Sequence, residues 1–223
     1  MISLWGMKRG FHKRVSFGTG IGLSEGDARI IAALSTPHEI QDFVSALGAN
    51  AEKNGDTCMS VSQTLKHGYG HCIEGAFVAA TALWMAGSPP LLMDMQAKDD
   101  HDHVVALFRS HGCWGAISKS NHVWLRWRDP VYRTLRELAM SYFHEYANKD
   151  KKTLRTYYVS FDLRRFKSKQ WITNSDSCWD IAWALDQCRH YNLLTPAQSR
   201  ALKSRDKIEL RANRLLEYAA TGA

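Results

Sequence analysis

Apolar positions recur at helical spacing early in the chain. Ser24 with Asp27 marks a first helix start, and that helix runs to Leu34. Thr36-Pro37-His38-Glu39 is a stronger start: Thr as cap, Pro in the first turn and Glu three residues on form a capping box. Ile40, Phe43, Val44 and Leu47 follow on one face, and Gly48 ends the run. Ser60 caps a short helix through Leu65, and His67-Gly68-Tyr69-Gly70 is a glycine-punctuated turn. From Cys72 to Met85 the chain is apolar nearly all round, the pattern of a central helix packed on several sides. Gly87-Ser88-Pro89-Pro90 stops it.

The period then changes to that of strands. Leu91–Met95, His103–Phe108 and Cys113–Ile117 read as three strands, the last two joined through Ser110-His111-Gly112. A helix is expected after Pro130 through Phe143, a strand at Arg155–Phe161, and helices near Ser175–Arg189 and Pro196–Ala219. Residues before 23 are glycine-rich and basic and read as an irregular arm. Trp124, Trp127, Trp171, Trp179 and Trp183 could form a stacking platform. The i, i+4 spacing of Trp179 and Trp183 instead suggests a core-facing stripe. The division expected is an arm over 1–23, an α+β core over 24–165 and a helical extension over 166–223.

Composition narrows the class. The chain has 223 residues, 45% hydrophobic and 23% charged, as an ordinary globular protein does. No apolar run approaches the ~20 residues of a membrane span. The N-terminus puts apolar residues before charges, the reverse of a secretory signal, so a cytoplasmic protein without membrane contact is expected. Five cysteines, odd in number and without CxxC, indicate neither a disulfide framework nor a zinc ribbon. The net charge of +7 lies wholly in residues 151–223, with 14 Lys and Arg against 7 Asp and Glu. An acidic partner could meet that part. No nucleic-acid recognition module accompanies the charge, so a solvated face is the simpler reading.

Candidate chemistry centres on Cys72. It heads the central helix behind Gly68 and Gly70, where unpaired backbone N–H groups and the helix dipole favour an anion. A cysteine so placed is expected to be the most reactive thiol. Its base would be a histidine, and among ten His103 stands out because it opens a strand. Glu74 reads as a surface or capping acid. Asp94, Asp99, Asp100, His101 and Asp102 form an acidic cluster, but they lack the glycine and alternation of a calcium loop. No metal or organic cofactor is expected.

The order of these elements resembles the transglutaminase-like superfamily, which shares the papain-like cysteine core. The resemblance rests on Leu65 to Ala76, Ala82 to Pro90, Asp102 to Leu107 and Gly112 to Trp114, within residues 36–120. It implies an α+β fold with the Cys72 helix packed on a small antiparallel sheet. It implies acyl transfer or amide hydrolysis of a peptide or protein substrate through a Cys72 thioester, with His103 as base. The family's acid falls at Ser118, which is not acidic. Asn121 is then the expected partner of the His103 ring, with Asp129 as the other candidate. The alternative is a catalytically silent module of the same type that binds a peptide or protein.

Overall fold

The structure, a computed structural model, describes residues 9–50 and 55–218. Helices α1 (Phe11–Gly20), α2 (Glu25–Ala33), α3 (Pro37–Ala46) and α4 (Val61–His67) precede the central α5 (Cys72–Ala86). Two residues each of β1 (Gly48–Ala49) and β2 (Tyr69–Gly70) pair in parallel beneath α4. Then come β3 (Leu91–Ala97), β4 (His103–Ser110), β5 (Cys113–Ile117), β6 (Arg128–Tyr132) and α6 (Leu135–Met140). The small hairpin β7 (Ala147–Asn148) and β8 (Lys151–Lys152) leads to β9 (Leu154–Tyr157) and β10 (Phe161–Asp162). The chain continues through α7 (Trp179–Asp186), β11 (Tyr191–Asn192), α8 (Pro196–Arg200) and α9 (Lys207–Ala212).

The result is a mixed helix-and-sheet fold around an antiparallel sheet ordered β11-β9-β3-β4-β5-β6, with β10 also pairing β3. The sheet is larger than the three strands legible in the sequence. The β4–β5 turn needs two residues at positive φ, which His111 (49°) and Gly112 (80°) supply. The helix expected after Pro130 is α6, which is shorter than the run to Phe143, and Pro130 itself sits in β6. That strand is an edge of the sheet, where a missing N–H costs no ladder bond.

Alternation along β4 sends side chains to two cores. Val104, Ala106 and Phe108 face α5, together with Leu92 and Ile117. Val105 and Leu107 face the opposite layer of Leu138, Ala139, Tyr142, Phe143 and Tyr146. Helix α5 is apolar all round because the sheet covers one side while α1 to α4 cover the other.

Three expectations are corrected. Residues 11–20 of the supposed arm are a helix, held by packing rather than propensity; residues 1–8 lie outside those described. Gly18 allows the contact, since a Cβ there would come within 2.8 Å of Met85 Cε. Arg14 is buried and donates to the Leu34 carbonyl at 2.9 Å. The stripe of Trp179 and Trp183 does not face the core: the two are 47% and 67% exposed. Helix α7 buries Ile181 and Leu185, which lie about 200° around the helix from the tryptophans. Last, the long C-terminal helix is two short ones. Asp206 Oδ1 accepts from the backbone N–H groups of Ile208 and Glu209, a second helix start that interrupts the first.

Candidate active site

Cys72 begins α5, as the sequence indicates. The preceding turn closes on Gly68, left-handed at φ 73°, whose N–H returns to Thr64 O. Glu74 builds this helix start. Its Oε2 accepts from the His71 N–H at 2.7 Å, and its Oε1 from the Met59 N–H and the Thr57 hydroxyl, each at 2.8 Å. The carboxylate is fully buried and ties three segments together, so it is a capping acid inside the protein and not a surface one.

The half-buried Cys72 is not poised as a thiolate. Burial pushes its thiol up to about 11, and the nearby Asp94 and Glu74 carboxylates add to the rise. Hydrogen bonds from the Val104 and Ile73 backbone amides oppose it without overcoming it. Desolvation here outweighs the helix-start field. The other buried thiols are also raised, Cys178 to about 12.

The Val104 contact places the sulfur beside the main chain of β4, one residue from His103. The imidazole nevertheless lies with Tyr142 and Tyr146 on the layer away from α5, with ring centroids 6.2 and 6.5 Å apart. It is 5% exposed. Its Nε2 is 2.7 Å from Ser118 Oγ and 3.0 Å from the Leu125 carbonyl, while Ser118 Oγ donates to that carbonyl at 2.9 Å. A carbonyl only accepts, so the chain of bonds runs from Nε2–H to Ser118 to Leu125, leaving the lone pair on Nδ1. Among the described residues no hydrogen bond joins Cys72 to His103. Burial pushes the ring down to about 4; the Leu125 carbonyl resists, while Arg128 and His122 add to the drop.

The contact expected between Asn121 and His103 is not formed. Asn121 Oδ1 accepts from the Tyr218 N–H at 2.8 Å, and its Nδ2 donates to the Tyr218 carbonyl at 3.1 Å. Asp129 is also elsewhere, accepting from Trp127 Nε1 at 2.9 Å. Ser118 occupies the place beside the ring. Strand β5 ends at Ile117, so the residues that hairpin register would set opposite His103 have left the ladder.

On the α5 face of β3, Asp94 Oδ2 meets His190 Nε2 at 2.9 Å, and both side chains are buried. His190 Nδ1 is 2.8 Å from the Cys188 carbonyl. The ring nitrogens face a carboxylate and a carbonyl, an arrangement that favours the doubly protonated ring. Burial lowers this pKa, but the Asp94 bond, the Cys188 carbonyl and the Asp94 and Asp186 charges raise it on balance. A raised folded pKa gives stability that is present below 6.5 and lost as pH rises through the raised value. The stability difference between the protein and His190→Gln should therefore shrink from pH 6 to pH 9 in urea titrations. A constant difference would show that the ring is not charged.

The other acids of the cluster serve the loop. Asp100 Oδ2 accepts from Thr153, and Asp102 Oδ1 from the Ala97 N–H. Among the described residues no three His, Cys, Asp or Glu side chains are placed to hold a metal. No described helix is long and apolar enough to cross a membrane. A cavity of about 250 Å³ lies by Pro37, His38, Phe108 and Trp127, at the end of β4 away from His103.

No family model and no curated protein matches the chain. Among solved structures it is similar to Legionella pneumophila LapG, at TM-score 0.35 and 13% identity over 49% of this chain and 72% of that one. A likeness so slight defines neither family nor activity.

Proposed function

We propose that the protein is a transglutaminase-like module that binds a peptide or protein partner and does not turn over substrate through Cys72. One observation carries this reading. The His103 ring is buried against Tyr142 and Tyr146, bonded through Nε2, and makes no hydrogen bond to Cys72 among the described residues. A nucleophilic cysteine needs a base within reach. Here both partners are neutral at physiological pH, and among the described residues no carboxylate bonds the ring to stabilise an imidazolium.

The reading is tested by intact-mass analysis after incubation with a panel of activated acyl esters. No thioester should accumulate on Cys72. An acyl adduct that hydroxylamine releases and that Cys72→Ala abolishes would contradict it.

A second reading, cysteine-dependent acyl transfer or hydrolysis, is favoured by the tautomer. Nδ1 of His103 keeps its lone pair and has no hydrogen-bond partner among the described residues, as a general base requires. It would need the ring to swing around β4 toward the sulfur.

A further inference from the structure

The last described residues form an extended segment bound across residues 119–126. Leu216 bridges His122 in antiparallel fashion, and the Glu217 N–H donates to the Asn121 carbonyl at 3.0 Å. Asn121 grips Tyr218 with its side chain, accepting from the N–H and donating to the carbonyl of that one residue. This clasp reads backbone alone and is indifferent to side chain. Specificity comes from either side. The Glu217 carboxylate bonds Arg126 and lies 3.8 Å from Lys119 Nζ. The Tyr218 ring sits 5.4 Å from the same ammonium, and its hydroxyl reaches the Leu47 carbonyl at 3.4 Å.

Two of the receiving side chains, Lys119 and Arg126, also have partners outside the tail. Lys119 is buried and donates to the carbonyls of Leu47 and Ser45 at the end of α3. It lies so close over α5 that a Cβ on Gly75 would come within 2.6 Å of it. Arg126 Nε donates to the Ser120 carbonyl at 3.0 Å. Upstream of the bound residues the segment is anchored lightly: Asn213 Nδ2 donates to the Ala147 carbonyl at 3.1 Å, and little of it is buried. Helix α9 buries no residue, and Ile208 and Leu215 are largely exposed. A preorganised receptor holding a loosely anchored segment is the arrangement of a site and its ligand.

We infer that residues 119–126 with the end of α3 form a peptide-binding site, filled in cis by Leu216-Glu217-Tyr218. Its partner is an extended segment carrying an apolar residue, a carboxylate and an aromatic ring in that order. This rests on the binding-module reading and names its site. The partner segment displaces the tail and takes over its bonds to Asn121, Lys119 and Arg126.

The probe is a fluorescein-labelled peptide of residues 211–218, amidated at its C-terminus, read by anisotropy against the full chain. The tethered tail competes at an effective concentration near the millimolar range, so Glu217→Ala with Tyr218→Ala should bind the peptide about tenfold or more tighter than the unaltered chain. Adding Asn121→Ala to that variant should remove the gain. Equal binding by variant and unaltered chain, or indifference to Asn121, would overturn the proposal. If the double variant does not fold, exchange of the Tyr218 amide in the unaltered chain decides instead. Excess unlabelled peptide should accelerate it, and an unchanged rate overturns the proposal. A peptide that fails to bind while Cys72 stays inert refutes this site alone. An acylated Cys72 with peptide binding intact refutes the silent module alone.

Discussion

Glu74→Ala should destabilise the protein by about 3–5 kcal/mol, a large share of the ~5–15 kcal/mol typical of a domain. The buried carboxylate accepts from the backbone of His71 and Met59 and from Thr57, and alanine removes the acceptor these three donors share. Hydrogen bonds to charged groups contribute about 1.5–3 kcal/mol each, and three that share one group do not add in full. Glu74→Gln keeps the shape and one acceptor oxygen, so it should cost roughly half as much. Urea unfolding of the three proteins measures this. A loss below about 1 kcal/mol for Glu74→Ala would mean that water reaches the site and replaces the carboxylate.

The acid side of the stability profile should carry the signature of His103. Its pKa falls from 6.5 in the free residue to about 4 in the fold. The unfolded chain therefore takes up a proton that the native protein refuses. The sign follows: stability is complete above pH 6.5 and declines as pH drops toward 4. At 1.36 kcal/mol per pKa unit the decline attributable to this ring is about 3 kcal/mol. It should be missing from the profile of His103→Gln. The His190 contribution changes at higher pH, between 6.5 and its raised value, and is already complete over this acid range. Ring titration by NMR separates the two, with His103 moving only near pH 4. If His103 titrates near 6.5, the ring is open to water and its burial is not as described.

Much of the helical layer was legible because its signals are local. Thr36 with Glu39 and Ser60 with Gln63 form capping boxes where the chain spacing puts them. The all-round apolarity of Cys72–Met85 marked a buried helix. What failed depended on partners far away in the chain. Residues 11–20 are helical because Arg14 reaches Leu34 and Gly18 meets Met85. Trp179 and Trp183 have the spacing of a buried stripe, yet Ile181 and Leu185 take that side.

The site divides in the same way. The positions of Cys72 and His103 at a helix start and a strand start were readable. The family resemblance points to Ser118, which carries no charge, and it is the residue on the ring. The Asn121 side-chain carbonyl suits a ring partner by its chemistry but is committed to Tyr218, 97 residues on. His190 left no local signal at all, since its partner Asp94 is 96 residues away. The reactivity expected of Cys72 came from the helix dipole, which is a first-turn effect of about 0.3–1 kcal/mol at an exposed site. Burial of a thiolate costs more, and it decides the direction.

That balance is open to direct measurement. Alkylation of Cys72 by iodoacetamide, followed by peptide mapping from pH 6 to 11, reports the thiolate fraction. The rate should climb with pH toward about 11 without a plateau, and labelling at pH 6.5 should be no faster than that of the half-buried Cys113. A plateau below pH 8, with Cys72 labelled ahead of every other thiol, would contradict it and restore the acyl-transfer reading.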